Sequence, residues 1–186
     1  MTIGIVGLGL IGGSFAKAYS DNDEHKVLAY NRSKEVIQAA YNDKAIDGEL
    51  NEGNIKDCDL ILLCLYPQLC IDYLTKMAPY IRKDAMVIDC CGTKELICQS
   101  CYPIAKQYGF TFIGGHPMAG SEKTGFENST DILLENTYYL LTPFEGTPLE
   151  NLSLLKELVA KTGANCVVLS PSEHDKITAA ISHVRH

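Results

Sequence analysis

From Ile113 to Glu122 the chain reads Ile-Gly-Gly-His-Pro-Met-Ala-Gly-Ser-Glu, gathering His116, Ser121 and Glu122 among glycines and a proline. Glycine lets a backbone approach a ligand closely, proline stiffens a bend, and imidazole and carboxylate carry protons. A plain turn needs only one or two such residues. The concentration points to catalysis, with His116 and Glu122 the side chains able to carry a proton. A second chemical segment is Asp89-Cys90-Cys91-Gly92-Thr93-Lys94, where the Thr93 hydroxyl can cap a following helix or reach a substrate.

The start of the chain indicates a cofactor. Gly7-Leu8-Gly9-Leu10-Ile11-Gly12 follows a short apolar run and opens a helical pattern. In a dinucleotide fold the first glycine makes the tight turn, the second admits the pyrophosphate and the third lets helix and strand pack closely. The helix N-terminus offers free N–H groups to the phosphates. Gly7, Gly9, Leu10, Ile11 and Gly12 are therefore cofactor-binding candidates, joined by Leu65, Tyr66 and Pro67 at a later strand end. The second strand closes on Tyr30-Asn31-Arg32-Ser33, without the carboxylate that usually accepts from the ribose 2′-OH of NAD. Arg32 can pair with a 2′-phosphate, and Asn31 and Ser33 can donate to it, so NADP is favoured and NAD is the alternative. The plainer reading makes Arg32 a solvated residue and Ser33 a helix cap.

These segments must be positioned by alternating strands and helices. Apolar runs predict strands at Ile3–Val6, Lys26–Tyr30, Leu60–Leu65, Met86–Cys90, Thr111–Gly114, Tyr138–Leu141 and Cys166–Leu169. Helical spacing predicts helices near Gly12–Tyr19, Lys34–Asn42, Gln68–Lys76, Lys94–Tyr108 and Leu149–Lys161. The implied class is α/β, a Rossmann-type doubly wound, mostly parallel sheet. A further helix starts after Pro171, with Ser172 its expected cap and Ile177, Ala180, Ile181 and Val184 at helical spacing. This divides the chain into a cofactor domain, 1–170, and the first helix of a second domain, 171–186.

With 186 residues, 46% of them hydrophobic, the chain can bury one sizeable core. A net charge of −7 argues against nucleic acid as a partner, since phosphate neutralisation needs clustered Lys and Arg. The longest apolar run, Leu60 to Tyr66, is far short of a membrane span, so a cytoplasmic protein is expected. Of eight cysteines, Cys58, Cys64, Cys70 and Cys166 lie in or beside apolar segments, where a thiol behaves as a small hydrophobe. Cys98 and Cys101 have redox or metal spacing, but no second Cys/His pair completes a site, and no metal is expected.

Taken in order, four segments resemble the prephenate/arogenate dehydrogenase family of tyrosine biosynthesis. They are the glycine loop, Asp89…Gly92-Thr93-Lys94, Gly114 to Gly125, and Ser170-Pro171…His174-Asp175…Ser182-His183. The resemblance covers nearly the whole chain, and His-Pro-Met-Ala-Gly-Ser-Glu is its most specific part. It implies oxidative decarboxylation of prephenate, to 4-hydroxyphenylpyruvate, or of arogenate, to tyrosine, which the reading of Arg32 makes NADP-dependent. His116 would take the ring-hydroxyl proton while hydride passes to C4 of the nicotinamide. Thr93 would stand where the family usually has serine, positioning His116 or the substrate hydroxyl. Ser121 and Glu122 would line or gate the substrate pocket, and His174 and His183 keep family positions at the substrate.

The resemblance also implies a helical domain that builds a homodimer and supplies an arginine for the substrate carboxylate. The family commonly reads Ser-His-Xaa-Pro-His where this chain has Ser182-His183-Val184-Arg185-His186. The ending is read as truncation, with Arg185 and His186 starting a tag, in preference to natural divergence. On that reading the isolated chain is inactive or weakly active. The alternatives are a β-hydroxyacid dehydrogenase, which relies on a lysine of its second domain, and a non-catalytic NADP-binding regulatory module.

Overall fold

The computed structural model describes residues 1–21 and 23–184; Arg185 and His186, read above as the start of a tag, lie outside the described residues. Among the described residues eight strands form: β1 (Thr2–Val6), β2 (Lys26–Tyr30), β3 (Gly48–Glu49), β4 (Leu60–Leu63), β5 (Met86–Asp89), β6 (Thr111–Pro117), β7 (Tyr138–Pro143) and β8 (Asn165–Val168). The helices are α1 (Leu10–Ser20), α2 (Lys34–Asn42), α3 (Pro67–Met77), α4 (Glu95–Tyr108), α5 (Leu149–Ala160) and α6 (Pro171–Val184). One sheet contains every strand, in the order β3-β2-β1-β4-β5-β6-β7-β8. All neighbours run parallel except β6 and β7. This is the doubly wound, mostly parallel sheet that the alternation of patterns predicts.

Helices on both faces explain why the strands read as continuous apolar runs. Along β4, Leu60 and Leu62 enter one core and Ile61 and Leu63 the other. Phe15 of α1, Ala40 of α2 and Leu155 of α5 close the first core. Leu74 of α3 and Ile97 of α4 close the second.

Three local details differ from the sequence reading. β6 continues past Gly114 to Pro117, because β7 pairs with it antiparallel and places His116 opposite Leu140. His116 therefore stands on a hydrogen-bonded strand and not in a turn. The two-residue β3, too short and polar to stand out in the sequence, pairs Gly48 with Leu28 and Glu49 with Ala29. At α6 the cap is Ser170, not Ser172. Ser170 Oγ accepts from the Glu173 N–H at 3.1 Å, and a Glu173 carboxylate oxygen accepts from the Ser170 N–H at 2.8 Å. That reciprocal capping box precedes Pro171, which opens the helix without sacrificing a backbone donor. α6 packs on α4 and β7. Its Ile177, Ile181 and Val184 are exposed, and His174 is the residue it buries. Among the described residues no helix is long and apolar enough to cross a membrane.

Candidate active site

Because β1, β4, β5 and β6 run parallel, Gly7, Leu65, Cys90 and His116 emerge at one edge of the sheet. The chain winds outward in both directions from the β1–β4 boundary, and ligands of such sheets bind at this crevice. Two glycines of the first loop shape it. Gly7 has φ +95°, and a Cβ there would lie 2.5 Å from the Cys64 carbonyl oxygen. A Cβ on Gly12 would lie 1.8 Å from the Gly7 oxygen. Gly9 differs, for a Cβ there meets nothing within 4 Å. It precedes α1, whose first turn holds no acidic residue and receives no side-chain cap. Leu10, Ile11 and Gly12 thus begin a helix with donors available to an anion. This cradle fits a dinucleotide pyrophosphate.

The end of β2 braces the loop. Asn31 Oδ1 accepts from the Leu8 N–H at 3.0 Å, and Asn31 Nδ2 donates to the Ser33 carbonyl at 3.4 Å. Arg32 is exposed and forms no ion pair among the described residues, while Ser33 precedes α2 without a side-chain capping bond. Lys34, the next residue, pairs with Glu49. Leu65 packs against Gly7, Tyr66 is exposed and Pro67 opens α3.

His116 is half-buried at the end of β6. Its Nδ1 lies 2.8 Å from His174 Nε2, and His174 Nδ1 lies 2.7 Å from Asp175 Oδ1. Burial, reinforced by the neighbouring His174 and the Lys94 ammonium and opposed by Asp175, pulls His116 down to about 4. Such a ring is neutral at physiological pH and able to accept a proton. A Cβ on Gly92 would lie 3.9 Å from His116 Nε2, its single neighbour within 4 Å, so this nitrogen faces a gap at the β5–α4 loop.

Asp175 also caps α4. Its Oδ1 accepts from the Lys94 N–H at 2.8 Å and its Oδ2 from the Glu95 N–H at 3.0 Å. Burial opposes ionisation, but the Glu95 N–H, His174 and the Lys94 N–H outweigh it and hold the carboxyl below its ordinary range. Capping of this helix was a candidate role for Thr93. Thr93 is instead exposed, and α4 receives no cap bond from its own flank.

Beneath the site lies a pair that the sequence reading missed. Lys94 and Asp89 are both fully buried and joined side chain to side chain. Asp89 also accepts from the Cys91 N–H at 2.9 Å and the Gly115 N–H at 3.0 Å. The pair thereby ties β5 and the start of α4 to the backbone beside His116. Its sequence signal was slight: one acid ending a strand and one lysine opening a helix. Ser121 and Glu122 are exposed after β6, with Ser121 Oγ accepting from the Lys123 N–H at 3.1 Å. His183 is exposed near the end of α6, well separated along the helix from the buried His174. Among the described residues no group of three His, Cys, Asp or Glu side chains forms a metal site.

Residues 15–177 match the family model described as prephenate dehydrogenase, nucleotide-binding domain. The chain is 33% identical over 189 residues to the prephenate dehydrogenase of Bacillus subtilis (strain 168), an alignment covering 100% of this chain and 51% of that protein. Among solved structures, Synechocystis arogenate dehydrogenase superposes with a TM-score of 0.90 at 32% identity, covering 98% of this chain and 64% of the other. Prephenate dehydrogenase from A. aeolicus, in complex with hydroxyphenyl propionate and NAD+, gives 0.86 at 30% identity, covering 95% and 62%. The chain spans about half the length of the curated relatives it matches.

Proposed function

We propose, because the chain belongs to the prephenate dehydrogenase family, that the native protein oxidises prephenate or arogenate with loss of CO₂. The observation that carries this reading is the half-buried His116, its Nε2 facing a gap on the same sheet edge as the glycine loop. When bound, the nicotinamide supplies the hydride acceptor. His116 takes the hydroxyl proton at Nε2, which relieves the developing carbonyl of its proton as the ring aromatises. Thr93 offers its hydroxyl to His116 or the substrate hydroxyl, and the exposed Ser121 and Glu122 line or gate the substrate pocket. His183 contacts substrate from α6, and a homodimer supplies the remaining surface.

NADP is the preferred cofactor in this reading. What supports it is an exposed Arg32 at the β2 end, without an ion pair among the described residues, and no carboxylate between Asn31 and Ser33. Asn31, already engaged with Leu8, braces the phosphate loop and need not donate to the 2′-phosphate. The test is steady-state assay of the intact native protein with prephenate and arogenate, each with NADP and NAD. Formation of NADPH from either substrate is expected, with His116→Asn abolishing most turnover while cofactor still binds. Undiminished turnover in that variant sinks the role of His116. Arg32→Ala should raise the KM for NADP and leave that for NAD unchanged; preference for NAD in the parent protein overturns the cofactor assignment.

A further inference from the structure

His174 is fully buried, and both of its ring nitrogens are spoken for. It has no polar ring atom left to offer a substrate, so its contribution must pass through its neighbours. With His174 neutral, the hydrogen-bond chain allows one assignment of protons. An ionised carboxylate only accepts, so Asp175 Oδ1 takes a hydrogen bond from His174 Nδ1–H. A neutral imidazole with its proton on Nδ1 presents a lone pair at Nε2. His116 must then donate from Nδ1, which leaves its own Nε2 bare. That bare nitrogen is the one beside Gly92, where a reacting hydroxyl has room.

The geometry points to Asp175 and His174 as a positioning relay that fixes the tautomer and ring orientation of His116. This rests on the reading of His116 as proton acceptor. The anchor at the far end is firm, because the same carboxylate accepts two backbone N–H groups of α4 and cannot turn away without uncapping that helix. His174 is held as well: its N–H donates to the Ser170 carbonyl at 2.9 Å, and its carbonyl accepts from Thr178 Oγ1 at 3.0 Å. The first turn of α6 is thereby part of the catalytic frame. It connects the β6 strand that carries His116 with the loop that carries Gly92 and Thr93. When the substrate O–H bond breaks and an N–H bond forms at His116 Nε2, the positive charge gained is stabilised through His174 by Asp175. No electron transfer and no outside reagent are required.

The experiment is nitrogen-15 NMR of the histidine rings in the intact native protein, with assay of variants. In the parent protein at neutral pH, His116 should be protonated at Nδ1 and bare at Nε2; the opposite tautomer overturns the relay. Asp175→Asn keeps an oxygen for the Glu95 N–H, gives up the Lys94 N–H bond and turns an amide donor toward His174, which reverses both tautomers. It should lower kcat by about 10²- to 10⁴-fold, leave the KM for NADP unchanged and show His116 protonated at Nε2. Wild-type kcat in this variant overturns the proposal. His174→Gln, which keeps an acceptor oxygen for His116, should retain more activity than His174→Phe; equal loss in two folded variants points to packing alone and also overturns it. Should Asp175→Asn fail to fold, the tautomer in the parent protein decides. That spectrum is independent of turnover: a protein that oxidises neither substrate defeats the functional reading, whereas turnover with His116 protonated at Nε2 defeats only the relay.

Discussion

The glycine loop and the His116 site share one sheet edge but are built in opposite ways. The loop is local, its functional backbone contained between Gly7 and Gly12 and braced by Asn31. The His116 site draws on β5, β6, α4 and α6, and joins His116 to a histidine 58 residues away. A local site is specified by what each position excludes, here a Cβ at Gly7 or Gly12. An assembled site is specified by partners, and each partner is ordinary until the fold delivers it.

The sharpest break in the local region is Gly12→Ala. Its methyl would sit 1.8 Å from a backbone oxygen that α1 and β1 hold in place. A loss of about 4 kcal/mol or more is expected in chemical denaturation, among the largest effects of a single substitution. Gly9→Ala, with open space around the new methyl, should leave stability within about 0.5 kcal/mol and weaken dinucleotide binding instead. Equal stability losses at the two glycines would erase the distinction between a packing glycine and a ligand glycine.

In the assembled region the largest effect belongs to Lys94→Met. Removing the ammonium leaves the buried Asp89 carboxylate with backbone donors alone. Breaking a buried pair from one side costs about 3–5 kcal/mol, read as a lower denaturation midpoint. A loss of under about 1 kcal/mol would mean that the Cys91 and Gly115 N–H groups suffice for Asp89.

Legibility followed the same division. The β1–glycine loop–α1 unit could be read because one stretch of residues carries the strand, the turn and the helix. His116 stood out for its glycine-rich company, yet its place on β6 did not, because the pairing that extends the strand comes from β7. Asp175 was legible only as a neighbour of His174. Its capping of α4, 80 residues back, depends on where α6 lands. Thr93 shows the converse, a residue with strong capping propensity whose role at α4 is taken by a carboxylate from elsewhere. Propensity is decided locally and yields when tertiary structure brings a charged acceptor to the same donors.

Activity and stability should separate at Gly92. The residue is exposed, and its missing side chain leaves the gap beside His116 Nε2. Gly92→Leu is expected to change stability by less than about 0.5 kcal/mol and to lower kcat/KM by about 10²-fold, by denying the substrate hydroxyl its position. Thr93→Val removes one hydroxyl contact and should cost about fivefold in kcat/KM, near 1 kcal/mol. A Gly92→Leu variant with full activity would place the reacting hydroxyl elsewhere around the ring.

A pH dependence also separates the assembled region from the glycine loop. His116 is drawn from the 6.5 of an ordinary imidazole to about 4, principally by burial. Between those values the unfolded chain binds a proton that the folded chain refuses, so stability rises with pH across the window. The contribution is complete above about 6.5 and is lost as pH falls toward 4. Asp175, held below the ordinary 3.8, adds a loss that begins only under more acid conditions. Denaturation midpoints at successive pH values should therefore fall less steeply between 6.5 and 4 in His116→Gln than in the parent protein. Gly9→Ala should follow the parent slope, since the glycine loop from Gly7 to Gly12 contains no titrating side chain. The same neutral ring keeps its proton-accepting nitrogen available below pH 6.5, so the acid limb of kcat/KM should lie beneath that value. A limb at or above 6.5 would show that burial in the working protein does not hold His116 neutral, and with it the main electrostatic difference between the two regions would disappear.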